Sequence, residues 1–167
     1  MRRQPPNRLL QQTIHPMWLD AVLSYLHLLA ILSWVVFLSS TAALARSEWL
    51  NPAVLARLLT VDRIANAAGW AVVASGAARL LWGAKGAAWW LGQPLLWAKL
   101  VLVALMLVAA WQTRSQLRGW QRRWQAEGVL PSPVELTALR RRVMRAAHLM
   151  LVLPAAAVLL ARGLLTV

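Results

Sequence analysis

The chain has 167 residues, of which 60% are hydrophobic and only 14% charged, with a mean hydropathy of +0.55 and no cysteine. A composition this apolar, with no polar stretch long enough to fold separately, excludes an ordinary soluble domain; the missing cysteines exclude disulfides, thiolate metal sites and cysteine nucleophiles. The net charge of +13 would suggest nucleic acid in a soluble protein, but here the arginines flank apolar segments, where they orient a membrane chain and meet anionic headgroups, so membrane lipids and no nucleic acid are the expected partners.

Residues 1–15 read as an N-terminal flank carrying Arg2, Arg3 and Arg8, and residues 16–163 as a four-helix transmembrane domain. The apolar run after the flank is too long for a cleaved signal and predicts an uncleaved signal anchor. The first helix is expected over about 16–46 and contains the uncharged stretch Ala21 to Ala45. A second is expected over about 52–82, capped by Asn51 with Pro52 in its first turn. Its small residues Ala74, Ser75, Gly76, Ala77 and Ala78 predict close helix packing and no chemistry. The loop from Gly83 to Gln93 reads as interfacial, with Trp89 and Trp90 as belt residues. A third helix is expected over about 94–127, from Pro94 to a stop at Glu127 and Gly128, and a fourth over about 133–162, opened by the capping box of Ser132, Pro133, Val134 and Glu135.

Arg114 to Glu127 and Glu135 to Arg145 hold eight arginines that cannot enter hydrocarbon, so these halves are expected to form a hairpin outside the bilayer. The predicted fold is therefore all-α: an integral membrane four-helix antiparallel bundle with an extended cytoplasmic helical hairpin between helices three and four. The first and third connections hold eleven basic residues, Arg46, Arg57, Arg63 and the eight of the hairpin; the termini and middle loop hold six, Arg2, Arg3, Arg8, Arg79, Lys85 and Arg162. By the positive-inside rule both termini face away from the cytoplasm.

Ionisable groups inside a span are costly and mark candidate sites. His27 is foremost: counted from Trp18 it lies about 13 Å deep, near the midplane, where an imidazole can bind metal, move protons or pack helices. Lys99, about 7 Å inside the outer boundary, either snorkels or faces inward. Asp20, Arg79 and Arg162 fall near the same outer face as a structural charge cluster, and Asp62 with Arg63 begins the spanning half of helix two, placed to dock the arginine hairpin or its neighbours. His148 lies near the inner boundary, about 21 Å from the outer face, so pairing it with His27 on one haem needs tilt, a helix shift or a kink at Pro154. There is no phosphate-binding glycine loop, no nucleophile elbow, no paired carboxylates in a span and no repeated methionine ligand motif.

Tyr25-Leu26-His27, Val61-Asp62-Arg63, Lys85 to Leu91, Pro94 to Lys99 and Ala161-Arg162-Gly163 together resemble a bacterial family of predicted four-helix membrane proteins, the domain of unknown function 2214. The likeness spans about Trp18 to Gly163 and implies a topology without an activity. A partial resemblance runs to the four-helix membrane protoporphyrinogen oxidases, carried by His27 with Trp34 seven residues on and by Trp97-Ala98-Lys99-Leu100. That resemblance implies haem b, with His27 as ligand and Lys99 facing haem or substrate. Ala110-Trp111 stands where that family has a histidine, and the fourth helix offers His148 in place of an Asn-Glu pair; these departures bear on the reaction more than on the fold. Three functions follow as expectations: haem b bound through His27 in redox or porphyrin metabolism, a non-catalytic subunit contacting other membrane proteins, or a small transporter using His27, Lys99 and Asp20.

Overall fold

The computed structural model describes the backbone of residues 6–83 and 86–161 and the side chains of residues 17–83, 87, 88 and 90–150. Every element in it is helical: α1 (Pro6–Leu44), a short 3-10 turn (Ser47–Trp49), α2 (Pro52–Trp82), α3 (Gly86–Leu91), α4 (Pro94–Glu127) and α5 (Pro133–Ala161). Four of these are long, and among the described residues there is no strand. Lys85 and Arg162 lie outside the described residues, as do the side chains of Arg8 and Trp89.

Local chemistry sets most of the boundaries. Asn51 accepts the Val54 N–H at 2.9 Å and Pro52 fills the first turn of α2, where its missing N–H costs no helical bond. Gly128 ends α4 with φ +68°, a left-handed conformation in which a Cβ would be strained, and its N–H returns to the Trp124 carbonyl at 2.9 Å. At the start of α5 the Ser132 N–H donates to Glu135 Oε2 at 2.7 Å while Ser132 Oγ accepts the Glu135 N–H at 3.3 Å, a reciprocal capping box. Two differences from the sequence reading stand out. Helix α1 begins at Pro6, not Pro16, because Pro6 is equally compatible with a first turn, and the stretch read as an interfacial loop contains α3.

Helix α1 lies along α2, α5 packs against α1, and α4 contacts both α5 and α2. His27 meets Ser75 and Trp34 meets Gly69, so rising numbers on α1 pair with falling numbers on α2 and the two run oppositely. Arg123 meets Glu135 and Gln116 meets Arg142, which gives α4 and α5 the same relation. The Arg123–Glu135 pair, 2.8 Å apart with both side chains about a third exposed, contributes at most about 1 kcal/mol. Apolar packing carries more.

That packing places the core. Among the described residues, ten of the sixteen buried apolar side chains lie toward the arginine-rich end, Leu38, Ala42 and Ala45 of α1 and its exit, Leu55 and Leu58 of α2, Leu117 and Trp120 of α4, and Leu136, Leu139 and Val143 of α5, and the other six continue the core along the helices from Trp34 to Val72, Met106 and Met150. The arginine-rich halves of α4 and α5, expected to stand outside the bilayer as a helical hairpin, share a core with the ends of α1 and α2. The reason is their own apolar stripe: Leu117 and Trp120, and Leu136, Leu139 and Val143, recur every three or four residues and need a partner surface.

Candidate functional site

The imidazole of His27 sits against α2 at Ser75 and Gly76. Ser75 Oγ donates its proton to the Ala71 carbonyl at 2.6 Å, one turn back. Its lone pairs are then free to accept, and they take the Nδ1–H of His27 at 2.8 Å. With the Ser75 proton on the Ala71 carbonyl and the Val72 carbonyl also within reach of the ring, the tautomer that fits is the one protonated at Nδ1, in which Nε2 keeps a lone pair for a metal or a proton. Gly76 allows the approach: a Cβ there would lie 3.3 Å from His27 Cε1. Ser75 and Gly76 therefore do more than permit packing, the only role expected of them. Ser75 lies 48 residues from His27 in the chain, and nothing local to either residue signals the bond.

Two cations complete the surroundings. The charges of Arg79, on the next turn of α2, and of Lys99, near the start of α4, both reach His27, and Arg79 also acts on Lys99. Arg79 Nε is buried without a hydrogen-bond partner. Asp20 approaches the end of α2, where a Cβ on Gly83 would lie 3.2 Å from its Oδ1 and where the Gly83 N–H closes on the Arg79 carbonyl at 3.0 Å. Asp20, His27, Ser75, Arg79 and Lys99 thus gather from three helices toward one end. Chemically, an imidazole nitrogen lone pair beside two positive groups suits a ligand that joins a metal centre to carboxylates.

The other candidates lie elsewhere. His148 is exposed and donates Nδ1–H to the Met144 carbonyl of its own helix at 2.7 Å. Its neighbours Ala146 and Leu149 line a groove with Leu105, Met106 and Ala109, which are about 9 to 15 Å beyond Lys99 along α4. The described contacts therefore do not bring His148 to His27. Asp62 and Arg63 also part company: Asp62 is 5% exposed and Arg63 faces outward.

Asp62 belongs to a second polar centre. Asn66 Nδ2 donates to its Oδ1 at 3.1 Å and to its carbonyl at 2.8 Å, and the charges of Arg114 and Arg118 act on it, in keeping with a carboxylate docked toward the basic half of α4. Between the four long helices Asp62 and Asn66 border a cavity with Trp34, Thr41, Thr113 and Arg142 that offers about 10 Å³ to the centre of a water molecule. The Nε1–H of Trp34, whose side chain helps to line this cavity, is buried and meets no acceptor among the described residues. The spacing of Asp62 and Asn66, four residues apart on one helix face, was the available sequence signal for this pair.

Among the described residues there is no group of three or more His, Asp or Glu side chains placed to hold a metal ion. Among the described residues three helices are long and apolar enough to cross a membrane, α1 from Met17 to Leu44, α2 and α4, with 11%, 17% and 6% of their most apolar windows buried. Large apolar side chains on these helices are turned outward, Trp18, Tyr25, Leu32, Trp70, Val101 and Trp111 among them. The molecule is a helical membrane protein. Residues 19–164 match the family model described as Predicted membrane protein (DUF2214), and the chain belongs to that family. Comparison with curated proteins and with solved structures returned no match.

Proposed function

We propose that this membrane protein binds haem b, which His27 would hold through Nε2 and whose propionates Arg79 and Lys99 would neutralise. The observation that carries the reading is the chain of hydrogen bonds from His27 Nδ1 through Ser75 Oγ to the Ala71 carbonyl. Ligating histidines characteristically have their second ring nitrogen held in this way, which fixes the tautomer and the ring orientation. A porphyrin also suits a lone imidazole, since it brings its own equatorial nitrogens to a place where the described side chains provide no ligand cluster. Bound there, haem would supply a one-electron redox centre; the chain's own part is to present Nε2, hold the ring against Gly76 and set two cations beside it. His148 stands too far along the bundle to be the natural second ligand.

The topology proposed with it is a four-span antiparallel bundle in a bacterial inner membrane, with the arginine-rich ends of α4 and α5 cytoplasmic and the termini on the other side. The basic excess of that end supports this orientation. Protein expressed with ample haem and purified in detergent is expected to show a Soret band, and His27→Ala to lose it while keeping its helical content. A colourless wild-type protein from haem-replete cells would falsify the proposal. A second reading, a non-catalytic subunit of a larger membrane complex, draws on the outward apolar face of α1 that includes Met17, Val22, Leu26 and Leu29. It predicts co-migration with partner subunits on native gels after gentle solubilisation.

A further inference from the structure

The geometry points to a binding site for one anionic diacyl phospholipid in the groove between α4 and α5. This groove has a volume of about 550 Å³, within the range of roughly 300–1,000 Å³ that small-molecule sites occupy. Its two ends differ in chemistry. Leu105, Met106 and Leu149 make one end apolar, and Arg141, Arg142 and Arg145 make the other basic, with no acidic side chain in the lining. Alanines at 109, 138 and 146 leave the space open. Arg142 is held in place by its Nη1–H bond to Gln116 Oε1 at 3.0 Å, while Arg141 and Arg145 are exposed.

The position of the groove along the helices selects the occupant. Leu105 to Ala109 are the last residues of the apolar run of α4 before Trp111, an indole 68% exposed, and Arg114. Arg145 is the last basic residue of α5 before its apolar half. The boundary between hydrocarbon and headgroup on both helices therefore crosses the groove between its apolar and basic ends, with an exposed indole at the level where tryptophans sit. A soluble anion would use the arginines and leave the leucines and methionine bare; a neutral lipid would cover the apolar wall and leave three guanidinium groups without a counter-charge. A phospholipid with an anionic headgroup satisfies both ends, its phosphate on the arginine fork and an acyl chain along Leu105, Met106 and Leu149.

Native mass spectrometry of the detergent-solubilised full chain, titrated with phosphatidylglycerol or with phosphatidylcholine of the same acyl chains, tests this. Phosphatidylglycerol is expected to bind at one saturable site and phosphatidylcholine not to. Because a basic residue near an anionic lipid is worth about fivefold in affinity, Arg141→Gln with Arg145→Gln is expected to weaken binding about thirtyfold. Arg122→Gln with Arg140→Gln removes the same charge from exposed positions outside the groove and is expected to leave binding intact. Equal binding of the two lipids, equal loss in both double variants, or displacement of the lipid by inorganic phosphate alone would each overturn the assignment.

Discussion

At Glu135 the N–H of Ser132 and the guanidinium of Arg123 converge on one carboxylate and hold its pKa down to about 2, from an ordinary 4.5. The unfolded chain therefore takes up a proton at higher pH than the folded one. The resulting stabilisation is complete above about pH 4.5 and is lost as the pH falls toward about 2. Thermal unfolding of wild type and Glu135→Gln is expected to show the wild type more stable at pH 7, with the gap closing between those two values. A gap that stayed constant down to pH 2 would mean that the carboxylate charge is not what holds the start of α5. Glu135 was readable from its capping-box spacing because its Ser132 partner is three residues away. Ser75 was not readable as the partner of His27, since the bond joins separate helices and serine in an apolar helix most often turns its hydroxyl on its own backbone.

Two glycines in long helices should respond oppositely to the same change. At Gly69 a Cβ would lie 3.0 Å from Cε2 and Cζ2 of Trp34, a rigid ring 1% exposed that would have to shift within the core to make way. Overpacking costs about 1–3 kcal/mol and the gain in helix propensity returns at most about 1 kcal/mol, so Gly69→Ala is expected to destabilise. At Gly119 nothing lies within 4 Å of the added carbon, and Gly119→Ala should stabilise α4 by up to about 1 kcal/mol. Midpoints of thermal unfolding in one detergent decide the matter: if the two variants moved in the same direction, the close contact of α1 with α2 at Trp34 would be wrong. The ends of these elements were legible beforehand, because Asn51, Gly128 and Ser132 act on backbone groups within a turn of themselves. The start of α1 was less so, since Pro6 and Pro16 are equally good first-turn residues.

At the scale of the molecule, most of the buried core among the described residues lies toward the arginine-rich end, while many large apolar side chains of the candidate spans are exposed. The proposed orientation puts that end in the cytoplasm, where its charges need not be moved across the bilayer. Because the chain has no cysteine, single cysteines report topology without background. In spheroplasts treated with a membrane-impermeant maleimide, Gly92→Cys is expected to label from outside and Gln125→Cys only after lysis. The reverse pattern would invert the topology while leaving the packing untouched.

From the sequence alone came the membrane class, four long helices and most of their ends, because hydropathy acts over a window of residues and caps act over a single turn. The tertiary structure decided which faces meet: Ser75 beneath His27, Trp34 on Gly69, Asp62 turned inward, His148 kept apart, and three arginines set over an apolar groove. The physical reason lies in the solvent. In water a helix must hide its apolar stripe, so its periodicity tells which side is buried; in lipid the inside and the outside are both apolar, and that information is absent. Which side chains touch is then set by register and close packing between helices far apart in the chain.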